Sequence, residues 1–198
     1  MTVTGVIQAG GKSTRMGGRP KALMELGGRR IIDRVVTALS EVVEDLLIVT
    51  NTPDLYESLG LPMVPDVYPD HGSLGGIYSG LKAAGGEAAF TVACDMPFLH
   101  REVVRLVVER APLGDVVIPR VGRQLETLHA AYRKTCLPHI EEQLLRGQLK
   151  IVDFFDRVRV VEIPEAELAR WGDPAVVCMN VNTPEELERA RALIRAEG

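Results

Sequence analysis

The stretch Gln8-Ala9-Gly10-Gly11-Lys12-Ser13-Thr14-Arg15-Met16-Gly17-Gly18-Arg19-Pro20-Lys21 constrains the chain more than any other. It follows the apolar run Val3 to Ile7, which reads as a short buried strand, and precedes a helical pattern that starts near Arg30. A strand, a glycine-rich loop and a helix in that order form the front of an α/β unit. Four glycines let the backbone come close to an anion, and successive N–H groups in such a loop can point at phosphate oxygens. Lys12, Arg15, Arg19 and Lys21 crowd the same segment, so a polyphosphate ligand is expected.

Two familiar phosphate loops do not fit. A Walker loop ending in Gly11-Lys12-Ser13 needs its first glycine where Val6 stands, and Gly5 is one place too early. The dinucleotide fingerprint needs glycines two apart, whereas these come as adjacent pairs, and Pro20 with Gly27-Gly28 delays the helix.

With 198 residues, 46% hydrophobic and 25% charged, the chain can bury the core of one α/β domain, expected to span residues 1–198. No apolar run approaches the ~20 residues of a membrane span, and Met1 to Gly5 lacks a signal-peptide pattern, so a cytoplasmic protein is expected. The net charge of −4 conceals an asymmetry, because residues 1–30 hold six cations against Glu25 alone. Positive charge gathered at one loop of an acidic chain points to a small anionic ligand and away from nucleic acid. Cys94, Cys136 and Cys178 are too far apart for a zinc site or a disulfide framework and read as buried small residues.

Further along, Ile31, Ile32, Val35, Val36 and Leu39 recur at helical spacing. Asp45 to Thr50 is a second strand, followed by Asn51, which reads either as a ligand contact or as a turn residue. Asp66 ends a short extended segment, and a second glycine-containing loop leads into a helix from about Gly76 to Ala84, with His71 as a solvated loop residue. Ala88 to Cys94 is a central strand that ends at Asp95. A carboxylate placed there suits Mg²⁺, which takes one or two carboxylates plus substrate phosphates; capping the next helix is the structural alternative, but that helix has its capping position near His100. Asp115 to Val121 and Thr127 to Tyr132 form an antiparallel excursion, which predicts a mixed sheet with His129 packed inside it. Helical segments lie between Thr135 and Phe155, and a strand runs over Arg157 to Ile163. Val176 to Leu187 reads as strand into helix, with Thr183 as N-cap and Pro184 at the first helical position.

The glycine-rich loop, Cys94-Asp95-Met96-Pro97-Phe98-Leu99 and Asn180-Val181-Asn182-Thr183-Pro184-Glu185-Glu186-Leu187 together resemble the molybdenum cofactor guanylyltransferases within the MobA-like nucleotidyltransferases. The resemblance implies a three-layer, Rossmann-like α/β fold of the nucleotide-diphospho-sugar transferase type, built on a mixed, mostly parallel sheet. It implies transfer of GMP from GTP to molybdenum-bound molybdopterin, with Mg²⁺ as cofactor and with cofactor-delivery or acceptor proteins as conceivable partners. Carried over by position, Gln8, Ala9, Gly10, Gly11 and Asp66 would bind nucleotide, Arg15 and Lys21 would neutralise the triphosphate, Asp95 would hold the metal, and Asn180 and Asn182 would face the acceptor. Gln8 stands where the family commonly has Leu, and Pro20 where it has Asp. A related enzyme using CTP or GTP with another phosphorylated acceptor therefore stays open, as does a nucleotide-binding module without catalysis.

Overall fold

A computed structural model describes residues 1–10 and 20–197. In chain order, β1 (Val3–Gln8) is followed by a small hairpin, β2 (Glu25–Leu26) and β3 (Arg29–Arg30), and by α1 (Ile31–Ser40). Next come β4 (Leu46–Val49), β5 (Met63–Val64), α2 (Gly72–Ala83), β6 (Ala88–Ala93) and α3 (Arg101–Arg110). The second half holds β7 (Val116–Val121), β8 (Gln124–Leu125), β9 (His129–Arg133), α4 (Leu137–Leu145) and β10 (Val160–Ile163). The chain closes with two short helices, α5 (Glu165–Leu168) and α6 (Pro174–Val177), and the longer α7 (Pro184–Glu197).

The main sheet has the order β10-β7-β9-β6-β1-β4-β5, with β8 paired to β7 outside that path. Strands β6, β1, β4 and β5 run parallel, β10 runs parallel to β7, and β9 runs antiparallel to both β6 and β7. This is the mixed, mostly parallel sheet that the sequence predicts, with helices on both faces. Side chains alternate between the faces, as the period of a strand requires. Ile7, Ile48, Phe90 and Val92 pack with α1 and α3, whereas Val6, Leu47, Val49 and Ala89 pack with α2 and α4. Double-sided burial explains why the central strands read as continuous apolar runs.

Helix α2 begins at Gly72, a full turn before the Gly76 expected from the sequence. Its first turns are glycine-rich, which lowers intrinsic helix preference, yet the glycines serve packing. A Cβ on Gly80 would overlap Val6, and one on Gly76 would come 2.5 Å from Gln8 Oε1, so both let α2 press onto β1. The expected strand at Val176 is a second difference. Pro174–Val177 is a helical turn, with Asp173 Oδ1 accepting from the Ala175 N–H at 2.9 Å and Pro174 at its start. That Asp-Pro pair is a helix-start signal, and it outranks the β-branched pair Val176-Val177.

His129 is fully buried in β9, with its ring edge-on to Phe90 at 5.6 Å and Nδ1 3.7 Å from Cys178 Sγ. Burial pushes its pKa from the ordinary 6.5 down to about 4. The unfolded chain therefore takes up a proton that the folded chain refuses as pH falls through this window, and folding stability drops with it. His129→Leu should flatten the fall in stability between pH 6.5 and 4, by a total on the order of 3 kcal/mol at 1.36 kcal/mol per pKa unit. Urea unfolding at several pH values reads this; an unchanged slope would remove His129 as its source. In the same assay Gly76→Ala should cost about 1–3 kcal/mol through overpacking, and adding Gln8→Ala should restore most of it, since the clash needs both side chains.

Candidate active site

The parallel strands bring Gln8, Thr50, Asp66 and Asp95 to the same edge of the sheet, at or just past their C-terminal ends. In open α/β sheets this edge is where ligands bind. The backbone there is tied strand to strand: Ala9 N–H donates to Val49 O at 2.9 Å, Cys94 N–H to Gln8 O at 3.1 Å and Thr50 Oγ1 to Ala9 O at 3.1 Å. Gly10 then emerges exposed. Gly11 and Arg15, assigned to phosphate from the sequence, lie outside the described residues.

On the β1, β4 and β5 side, Gln8 is buried and its Nε2 donates to Ser73 O at 3.2 Å, at the beginning of α2. Asp66 Oδ1 accepts from Ser79 Oγ at 2.8 Å and from the Tyr68 N–H at 3.1 Å, which fixes that carboxylate against α2. Asn51 acts as a tie between strand ends, with Oδ1 accepting from the Asp66 N–H at 2.9 Å. Tyr68 donates to Glu141 Oε1 at 3.1 Å and Tyr78 donates to the same atom, so the loop after Asp66 is braced onto α4. His71 packs edge-on to Tyr68 at 5.8 Å and is half-buried rather than solvated. The start of α2 carries no side-chain cap, so its first N–H groups have no side-chain partner at the N-cap. Sequence reasoning missed this helix end because it placed the helix one turn later; the glycine run 72–76 was the available signal.

On the other side of β1, Asp95 follows the central strand β6 and is half-buried. Lys21 stands in the 3₁₀ turn Lys21–Leu23, with Pro20 extended before it, and its Nζ donates to Asn182 Oδ1 at 2.9 Å. Residues 161 positions apart thus meet beside Asp95. Burial pushes the Asp95 carboxyl upward, the Lys21 ammonium opposes that shift, and Glu186 adds to it. The segment 178–182 is pinned by the Val181 N–H donating to Asp95 O at 2.9 Å. Behind it, Thr183 and Glu186 form a reciprocal cap: Glu186 N–H donates to Thr183 Oγ1 at 3.2 Å, and Glu186 Oε2 accepts from Thr183 N–H at 2.9 Å and Asn182 N–H at 2.6 Å. Asn180 is half-buried, and its Oδ1 is a buried atom without a hydrogen-bond partner among the described residues. Buried Tyr56, which no sequence signal marked, lies near Asp95; burial first and then the charges of Cys94 and Asp95 push its phenol upward.

No group of three or more His, Cys, Asp or Glu side chains forms a cage among the described residues. Asp95, with the Lys21 ammonium nearby and a carboxyl held above its ordinary pKa by burial, offers a hard oxygen ligand. That matches Mg²⁺, which is held by one or two carboxylates and completes its shell with substrate phosphates and water. A site that pairs one carboxylate with a lysine at the end of a glycine-rich loop can bind a triphosphate and stabilise charge transferred onto a leaving phosphate.

The chain is similar to known proteins over most of its length. Residues 5–161 match the model of the MobA-like NTP transferase domain. A probable molybdenum cofactor guanylyltransferase of Pelotomaculum thermopropionicum is 40% identical over 193 residues, covering 98% of this chain and 94% of the relative. The molybdenum cofactor guanylyltransferase of Desulfosudis oleivorans is 42% identical over 196 residues, covering 98% and 96%. Among solved structures, molybdopterin-guanine dinucleotide biosynthesis protein A from Archaeoglobus fulgidus superimposes with a TM-score of 0.83 at 26% identity, covering 99% of this chain and 100% of that one. The edge assembled from Gln8, Lys21, Asp95 and Asn182 therefore sits in a chain that belongs to the MobA-like NTP transferase family.

Proposed function

We propose that this protein is a guanylyltransferase that transfers GMP from GTP to molybdenum-bound molybdopterin, giving the molybdopterin guanine dinucleotide cofactor and pyrophosphate. The observation that carries the reading is the convergence of Lys21, Asp95 and Asn182 in a chain whose relatives at 40% and 42% identity bear the guanylyltransferase name over nearly their whole length. A terminal phosphate oxygen of the acceptor forms a new bond to the α-phosphorus. The bond from that phosphorus to its β-bridging oxygen breaks, and the electron pair leaves with pyrophosphate.

The residues divide this work. Gln8, Ala9, Gly10 and Gly11 receive the nucleoside and the start of the phosphate chain, and Asp66 faces the nucleoside from the end of β5. Arg15 and Lys21 neutralise the triphosphate and the charge that grows on pyrophosphate, the principal demand of this chemistry. Asp95 would hold Mg²⁺, which when bound supplies positive charge beside the α-phosphate. Asn182 orients Lys21 through its 2.9 Å hydrogen bond and, with Asn180, faces the acceptor. The reading places the enzyme in the cytoplasm, where both substrates are small soluble molecules; among the described residues no helix is long and apolar enough to cross a membrane. Cofactor-delivery and acceptor proteins fit the same reading as partners.

The test is pyrophosphate release with Mg²⁺, each NTP in turn and molybdenum-loaded molybdopterin. Turnover with GTP is expected. Turnover with CTP alone would overturn the guanylyl assignment, and tight NTP binding without turnover would favour a binding module. Asp95→Asn should abolish transfer while leaving the melting temperature unchanged or raised, because a half-buried carboxylate disfavoured by burial is removed; wild-type turnover would take Asp95 out of the mechanism. Lys21→Ala should lower kcat by roughly 10²–10³-fold, as for loss of one transition-state contact, with full activity counting against its triphosphate role.

A further inference from the structure

We propose that Glu126 is the specificity residue for the acceptor, its carboxylate taking the adjacent N–H donors of a 2-amino-4-oxo pterin ring. The proposal rests on the reading of the acceptor as a phosphorylated pterin. Glu126 lies between β8 and β9, and because β9 runs antiparallel to β6 its first residue, His129, stands opposite Val92, close to Asp95. The Glu126 loop is therefore on the ligand edge, across Asp95 from Gln8. Strand spacing of about 4.8 Å sets it one to two strands from Asp95, roughly 5–10 Å. That separation suits a ring whose phosphate tail reaches the metal carboxylate.

The backbone of this loop is fixed. Glu126 N–H donates to Pro119 O at 2.9 Å, His129 N–H donates to Glu126 O at 3.0 Å, and Tyr132 Oη donates to Thr127 O at 2.8 Å. The side chain is not fixed by any partner: among the described residues the half-buried Glu126 carboxylate makes no hydrogen bond and no ion pair. A half-buried carboxylate without a cation is costly unless something else supplies donors. Burial alone pushes its pKa upward.

The neighbouring wall carries a second unmet acceptor. The charge of Glu126 reaches the Cys178 thiol, which lies 3.7 Å from His129 Nδ1. Two residues on is Asn180, whose Oδ1 is buried and unpartnered, and the next residue, Val181, is bonded to Asp95 O. The Glu126 carboxylate only accepts hydrogen bonds, so a ligand that completes it must present N–H or O–H donors. The ring N–H and the 2-amino group of a pterin lie side by side and match the two oxygens of one carboxylate. Guanine has the same edge, but Gln8, Asp66 and the glycine loop hold the nucleotide on the far side of Asp95.

The test uses the full chain with Mg²⁺ and a non-hydrolysable GTP analogue, titrated by fluorescence with hydroxymethylpterin phosphate and with its 2-oxo (lumazine) counterpart. The 2-oxo ring turns an acceptor toward Glu126 in place of a donor. Wild type should prefer the 2-amino ring by roughly tenfold to a hundredfold, the range for one bidentate base-edge contact. Glu126→Gln should bind the pterin more weakly by a similar factor and lose the preference, with a melting temperature unchanged or raised and unchanged affinity for the GTP analogue. Preference retained in Glu126→Gln would overturn the role of Glu126 alone. A loss that falls on the GTP analogue would also overturn it, by assigning the carboxylate to guanine. If wild type binds neither ring yet releases pyrophosphate from GTP with another phosphorylated acceptor, the acceptor reading fails and the proposal falls with it.

Discussion

A single backbone hydrogen bond, from the Val181 N–H to Asp95 O, ties the segment before α7 to the end of the central strand. Without it the segment 178–182 would have no register against the central strand. With it, Asn180 and Asn182 stand on either side of a fixed point next to the carboxylate that follows β6. The cap formed by Thr183 and Glu186 then holds the beginning of α7, and Glu186 also takes the Asn182 N–H. The Lys21 ammonium is drawn to Asn182 rather than into a contact ion pair with Asp95. The cation therefore remains close enough to oppose the upward shift of the carboxyl without forming an ion pair with it among the described residues.

The two halves of the edge are built differently. On the Gln8 and Asp66 side, parallel strands end together and are bridged by backbone bonds, and Asp66 and Gln8 are clasped by α2. Rigid positioning of that kind is what phosphoryl chemistry requires, because most of its catalysis is placement and electrostatics. On the Glu126 and Asn180 side the backbone is equally fixed, but among the described residues the Glu126 carboxylate and Asn180 Oδ1 have no hydrogen-bond partner.

Much of this was legible in the sequence. The apolar runs of β1, β4 and β6 are buried on both faces, and buried parallel strands leave that signature. Thr183-Pro184 with acids behind it gave the start of α7, and His100 caps α3 by accepting from the Glu102 N–H at 3.3 Å. The misreadings have physical causes. Glycine in α2 is a packing requirement set by Gln8 and Val6, which are about seventy residues away, so local propensity pointed the wrong way. Val176-Val177 looked like a strand because β-branched pairs favour one, while Asp173-Pro174 had already committed the backbone to a turn. The meeting of Lys21 with Asn182, and the placing of Tyr56 near Asp95, are products of topology that no local pattern encodes.

The reversed direction of β9 has a consequence for how such a chain can change. A strand that enters the sheet backwards delivers a loop to this edge from its beginning rather than its end, and that loop is held by β8, β9 and a single bond to Pro119 O of β7 among the described residues. Its side chains can vary without disturbing the backbone bonds that tie the ends of β1, β4 and β6 together. The fold thus separates an edge fixed by parallel strands from a loop whose side chains are free to change, and under the proposed function a new acceptor would be acquired by rewriting a few residues on one side of Asp95.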